Sequence, residues 1–256
     1  SPRYIFTYLD EITRHLFNIK DEPNLNQLND DGFLIEPSWY MPILPTILIN
    51  GADGIGTGFS TKIPQYNPLD IINNIKLLMK NKDQIPMFPH YRGFTGDIEK
   101  EGTSSYFVYG KYSRIDDNTI KITELPIGGW TYTYQEHLES LIIDTKVKSK
   151  KKQYLSSYIN NNTDNVVDME LIFSSKIELD KLLKNPRDFE KQFKLVSKLN
   201  TSNMYLYSTD NTIKKYSSPE EILQEYYIIR LEYYQKRKDA LELKIKEELD
   251  ILKYKE

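Results

Sequence analysis

Beyond Pro219 the chain runs to its last residue without a glycine or a proline. Ser218-Pro219-Glu220-Glu221 opens that stretch with an N-cap hydroxyl, a proline at the first helical position and a glutamate three residues past the cap. Leu223, Tyr227, Tyr234, Leu241, Ile245 and Leu252 then step by four or seven, and Arg230, Lys238 and Glu248 fill the same seam. The pattern predicts one helix over the last stretch of the chain, extending roughly 57 Å. No small core can cover such a length, so the segment reads as one arm of an interrupted coiled coil that needs a second helix.

The rest of the chain is punctuated by similar signals. Asn67-Pro68-Leu69-Asp70 precedes Ile71, Ile72, Ile75, Leu78 and Met79 on one helical face, which predicts a helix from 68 to 80. Boxes at Thr133-Tyr134-Gln135-Glu136, Ser175-Lys176-Ile177-Glu178 and Asn185-Pro186-Arg187-Asp188 predict three short helices. Between them Tyr106 to Tyr112, Thr119 to Leu125, Val166 to Phe173 and Met204 to Tyr207 are β-branched, aromatic or alternating, and read as strands. Near the start, apolar residues at 5, 6, 9, 12, 16 and 17 fit one face of a helix, with Tyr4 at its entrance. The acidic, Asn-rich stretch Asp21 to Asp31 reads as loop. The fold class is therefore α+β.

Composition excludes more than it assigns. With 39% hydrophobic and 28% charged residues over 256 positions, the chain is neither disordered in character nor supplied with an apolar run that could span a bilayer. No cysteine is present, which rules out disulfides and thiolate-bound zinc. His15, His90 and His137 are far apart and form no ligand spacing. The net charge of -3 gives no general support to nucleic-acid binding, so any such site must be local. The chain opens on Ser1 with no basic-then-apolar leader and is read as part of a longer polypeptide.

Two segments carry chemistry. A phenol has a pKa of roughly 10, so a tyrosine that attacks phosphorus needs its proton removed and the phosphate charge neutralised. Arg3 directly before Tyr4 supplies planar donors for a non-bridging oxygen. The second segment, Ile49-Asn50-Gly51-Ala52-Asp53-Gly54-Ile55-Gly56-Thr57-Gly58-Phe59-Ser60, fails both phosphate-binding templates. Thr57 stands where a phosphate loop needs lysine, and Phe59 replaces the last glycine of a dinucleotide fingerprint. A tight loop whose glycines supply positive φ explains the backbone but not Ile55, which is either core or an exposed wedge of the kind that unstacks base pairs. Ser60 and Lys62 follow the loop, placed to touch phosphates. Glu36 and Asp53 stand alone, and Asp116-Asp117 reads as a turn, so no metal site is expected in this segment.

Together, Arg3-Tyr4, the glycine-rich run with Lys62-Ile63-Pro64, and Glu36-Pro37-Ser38-Trp39-Tyr40-Met41-Pro42-Ile43-Leu44-Pro45 resemble the DNA breakage-reunion region of type IIA DNA topoisomerases, in the eukaryotic-type branch. The resemblance implies the end of a winged-helix domain over 1–50, a β-rich tower domain over 51–216 and the start of a coiled-coil gate over 217–256. It implies that Tyr4 is the nucleophile that stays linked to the 5′ end of a broken strand, with Arg3 stabilising the transition state. Ile55 matches the isoleucine that intercalates into bent DNA. Glu124-Leu125-Pro126 with Trp130-Thr131 resembles a tower segment whose tryptophan approaches DNA; core packing is the alternative for Trp130. The five lysines from Lys146 to Lys152 are a solvated loop or a phosphate contact. The implied whole enzyme is a homodimer acting on double-stranded DNA, with magnesium held by an upstream Toprim domain and ATP by an upstream ATPase domain, and with no membrane partner. Its implied location is the nucleus in a cellular eukaryote, or the host cytoplasm for a large DNA virus. The competing class is a non-enzymatic DNA-bending module with a coiled-coil arm, which would not require Tyr4.

Overall fold

The structure is a computed structural model that describes residues 2–142 and 153–255; the lysine run from Lys146 to Lys152 lies outside them. Helices and strands are mixed, and the chain packs as two compact units, Ser1–Pro89 with Asn203–Glu256, and His90–Ser202. The first unit is therefore closed by a segment that returns to it after the second has been built.

In the first unit the core gathers Leu48, Ile63, Tyr66, Ile71, Met87, Met204, Tyr216, Ile222 and Leu223. Helix Pro68–Leu78 lays Ile71 into it, and starts where the Asn67 carboxamide oxygen accepts the Leu69 N–H at 2.9 Å. The terminal helix runs Pro219–Lys253, and its Ser218 hydroxyl accepts from Glu221 N–H at 3.3 Å. The Glu221 carboxylate reaches back to the Ser217 N–H and hydroxyl, both at 2.8 Å. Its first turns bury Ile222, Leu223, Arg230 and Tyr233, whereas every described residue from Leu241 onward is exposed.

Arg230 and Arg237 of this helix both bind Asp21, which is buried at the start of the chain. Asp21 Oδ2 accepts from Arg230 Nη2 at 2.9 Å and from Arg237 Nη2 at 2.6 Å, and Oδ1 accepts from Arg237 Nε at 2.8 Å. The hydrogen bond to Asp21 raises the Arg237 pKa further. Both guanidinium groups lie against the Tyr234 ring, at 4.0 and 5.1 Å. The Tyr226 hydroxyl, its pKa pushed up by burial, donates to Pro42 O at 2.7 Å, and Trp39 meets Tyr233 edge-on at 5.3 Å. Asp21 thus lies in a 3-10 turn, Ile19–Asn24, and not in a loop; it is followed by a hairpin, Gln27–Asp30 with Phe33–Pro37. Asp31 and Gly32 both take positive φ, the turn that an Asp-Gly pair favours.

The helix expected over 5–17 shrinks to Thr13–Leu16. Ile5, Phe6, Tyr8, Leu9 and Ile12 are all exposed, so the first part of the apolar face is left uncovered by this unit, whereas Leu16 and Phe17 are half-buried and Phe17 meets Tyr40 edge-on at 5.9 Å. The Asp10 carboxylate takes the Ile12 N–H at 3.0 Å, a local turn that competes with helix upstream of Thr13.

The second unit holds a four-stranded antiparallel sheet built from Lys111–Arg114, Thr119–Glu124, Met169–Phe173 and Leu155–Asn160, in that order. Helices Thr131–Glu139, Lys176–Leu183 and Pro186–Gln192 contribute Leu138, Leu179 and Phe189 to its core, where Phe189 and Phe193 stack at 4.6 Å. A second sheet of Val196–Asn200, Ser105–Tyr109 and Asp97–Lys100 buries Tyr106, Val108 and Leu199. The expected caps at Ser175 and Asn185 make no side-chain bond to the helix backbone. The Asn185 amide turns to the Asp188 carboxylate instead, and the Thr133 box falls inside a helix that already began at Thr131.

Candidate nucleic-acid interface

Ile55 ends the first strand of a short hairpin, Ala52–Ile55 paired with Ser60–Ile63. The register sets Asp53 opposite Lys62 and Ile55 opposite Ser60. Side chains alternate across a strand, so Asp53, Ile55, Ser60 and Lys62 share one face while Ala52, Thr61 and Ile63 take the other. The second face is the anchor: Ile63 is buried in the core of the unit. On the first face Ile55 is 92% exposed, which removes core packing as an account of it. The tip is closed by Gly56 N–H on Phe59 O at 2.8 Å. Of the four glycines in the run only Gly51 and Gly58 have positive φ, so the loop owes less to left-handed glycine than its sequence suggests.

Lys62 Nζ stands 3.1 Å from the Asp53 carboxylate, and both side chains are at least half exposed. Such a pair is weak and screened, so the lysine can exchange Asp53 for a phosphate at little cost. Ser60 Oγ accepts from Asn203 Nδ2 at 2.9 Å and keeps its own proton to donate. Asn203 and Tyr205 are neighbours of the hairpin that the sequence did not reveal. They lie more than 140 positions away along the chain, and no local pattern marks such a pairing.

Arg3 and Tyr4 occupy a 3-10 turn, Pro2–Tyr4, rather than a helix entrance, and both are exposed, Tyr4 at 78%. A surface position is what a nucleophile for a macromolecular phosphate requires, because the phosphodiester must reach the phenol oxygen directly. Arg3 and Tyr4 are consecutive on that turn. Arg3, Tyr4, Ile55, Ser60 and Lys62 all belong to the first compact unit. Trp130 belongs to the second; it occupies the N-cap position of Thr131–Glu139 and is 77% exposed, so it too is not a core residue. Among the described residues no three His, Cys, Asp or Glu side chains converge as metal ligands. No helix among them is long and apolar enough to cross a membrane.

Comparison with known proteins gives this geometry a family. The family model for the A-type subunits of DNA gyrase/topoisomerase IV matches residues 1–256. DNA topoisomerase 2 of Arabidopsis thaliana is 46% identical over 245 residues, 94% of this chain and 16% of that protein. DNA topoisomerase 2 of Saccharomyces cerevisiae is 42% identical over 250 residues, 98% of the chain and 17% of the protein. This chain thus spans about a sixth of the length of these curated relatives. The crystal structure of the Plasmodium falciparum topoisomerase II DNA-binding, cleavage and re-ligation domain superposes with a TM-score of 0.88 at 42% identity, covering 97% of this chain and 33% of that one. The chain belongs to the type IIA DNA topoisomerases, within the DNA gyrase/topoisomerase IV family of A-type subunits and beside its eukaryotic topoisomerase 2 members.

Proposed function

We propose that this chain is the DNA-breaking and DNA-bending segment of an ATP-dependent type II topoisomerase that opens a transient double-strand break, passes a second duplex and religates. The observation that carries the reading is an exposed Arg3-Tyr4 pair in a chain matched by the family over its whole length. The non-enzymatic bending module leaves that pair without a purpose.

In this reading the Tyr4 phenol oxygen attacks a backbone phosphorus. The new bond joins the tyrosine to the 5′ phosphate, the bond to the 3′ oxygen breaks, and the phenol proton is lost as the 3′ oxygen gains one. Arg3 donates to a non-bridging oxygen and is worth most in the transition state, where the phosphoryl charge is redistributed. The covalent link conserves the energy of the broken bond, so the 3′ hydroxyl religates by the reverse step. Ile55 enters the duplex between two base pairs and kinks it, with Ser60 and Lys62 on the flanking phosphates and Trp130 as a further DNA contact.

In the same reading residues 1–50 are the end of a winged-helix domain, 51–216 a tower domain and 217–256 the first helix of a coiled-coil gate; these bounds cut across the two compact units, because 51–89 and 203–216 pack with the first. The uncovered Leu241, Ile245 and Leu252 favour that gate, since their seam needs another helix. A homodimer then cuts both strands of one duplex, one per Tyr4. Among the described residues no three His, Cys, Asp or Glu side chains converge as magnesium would need, so no step here runs through the metal; in this reading magnesium and ATP belong to Toprim and ATPase domains of the full-length protein. The relatives named above are cellular eukaryotes, which favours the nucleus over the cytoplasm of a virus-infected cell.

The direct test is to trap the covalent complex of the full-length protein with DNA, digest it and identify the DNA-linked peptide by mass spectrometry. The Tyr4 peptide is expected. A nucleotide on any other of the tyrosines refutes the assignment.

A further inference from the structure

A wedge must not swing aside under load. Two four-residue strands are marginal by themselves in water, so something outside the hairpin must set its angle. That support comes from the strand Met204–Tyr207 and the residue before it. Lys62 N–H donates to Asn203 O at 2.8 Å, and the neighbouring Thr61 continues the joint with its side chain. Thr61 Oγ1 accepts the Tyr205 N–H at 3.0 Å and donates its own proton to Tyr205 O at 2.8 Å. One hydroxyl thereby stands in for a strand partner, satisfying both backbone groups of Tyr205. The Phe59 and Tyr205 rings meet edge-on at 5.9 Å just below the tip. The bracing strand is fixed in turn: Met204 is fully buried, and the strand pairs with Ile213–Tyr216, which leads into the terminal helix.

We propose that Thr61 is a positioning residue for DNA bending, its hydroxyl welding the Ile55 hairpin to the backbone of Tyr205 so that the wedge holds its angle when a base step is forced open. The inference rests on the reading of Ile55 as the wedge. DNA affinity is dominated by phosphate contacts, so losing the weld costs bending far more than binding. Val matches the shape of Thr but leaves the N–H and C=O of Tyr205 unpaired, whereas Ser keeps both bonds.

The test uses the full-length protein and a duplex carrying a fluorescence-transfer pair at its ends, with affinity measured in parallel by anisotropy. Thr61→Val should reduce the bent fraction about fivefold or more, as Ile55→Ala should, with the affinity of Thr61→Val changed less than about threefold. Thr61→Ser should bend as the unmodified protein does. If Thr61→Val does not fold, Thr61→Ser against Thr61→Ala, alike in lacking the methyl, isolates the hydroxyl: Ser should bend and Ala should not. Bending lost in Ile55→Ala but retained in Thr61→Val or Thr61→Ala overturns the inference and leaves the wedge standing. Bending lost equally in Thr61→Ser also overturns it. Bending unchanged in Ile55→Ala removes the wedge reading and the inference with it.

Discussion

Replacing Asp21 by Asn should loosen the joint between the start of the chain and the terminal helix, by an amount that follows from the burial of three side chains. Asp21 is 2% exposed and Arg230 5%, so the pair has little access to water. Asn keeps the shape and removes the charge. Arg230 then keeps the Tyr234 ring at 4.0 Å and a long contact, Nη1 to Met41 O at 3.4 Å, but it faces a neutral carboxamide in place of its counter-charge, and its Nε has no partner among the described residues. Breaking a buried ion pair by removing one partner costs about 3–5 kcal/mol. Arg237 is 22% exposed and can turn to solvent, so Arg237→Met should cost only ~1 kcal/mol or less. With a urea slope of roughly 2 kcal/mol per molar, Asp21→Asn should lower the unfolding midpoint by about 1.5 M or more, and Arg237→Met by about 0.5 M at most. Trp39, edge-on to Tyr233 of the helix, reports on this unit once the exposed Trp130 has been changed to Phe. Adding Arg230→Met to Asp21→Asn should recover much of the loss, because the stranded buried cation is gone. A midpoint shift below about 0.5 M for Asp21→Asn, or a larger effect from Arg237→Met, would refute the reasoning.

Two further outcomes follow from local geometry. Gly51 holds φ +68° with extended ψ, and a Cβ there would lie 2.6 Å from the Ile63 backbone oxygen, so Gly51→Ala should cost about 1–3 kcal/mol in urea unfolding and should lower DNA bending by displacing the hairpin; an unchanged midpoint contradicts the steric argument. The Glu221 pKa is lowered from 4.5, first by the Ser217 N–H and then by the Ser217 hydroxyl, so this carboxylate contributes stability above pH 4.5 that is lost as the pH falls toward its folded value. Glu221→Gln should flatten the fall of melting temperature between roughly pH 5 and 3, and an identical pH profile would show that the cap carries no linkage.

How far the sequence could be read depended on how local the determinants were. The caps at Asn67 and Ser218 were legible because donor, acceptor and proline lie within four residues, and both helices begin where those residues say. Periodicity predicts a helix over 5–17 where the structure holds only Thr13–Leu16, because it records a face that wants burial without saying whether a partner covers it. The stretch from Asp21 carries only loop signals in sequence, since the partners that bury Asp21 are arginines 209 and 216 residues away. At the interface, the unusual isoleucine between glycines was legible, and its exposure removes the core alternative. The residues that brace it, Thr61, Asn203 and Tyr205, carried no signal, since a threonine hydroxyl welded to a distant backbone looks like any other threonine in sequence.

The central claim, that the Tyr4 phenol is the group that breaks DNA, is tested most directly by Tyr4→Phe in the full-length protein, which removes one oxygen and nothing else. With DNA binding retained, covalent protein-DNA adducts trapped by denaturation should disappear. Adducts that persist in Tyr4→Phe at the level of the unmodified protein would contradict the account.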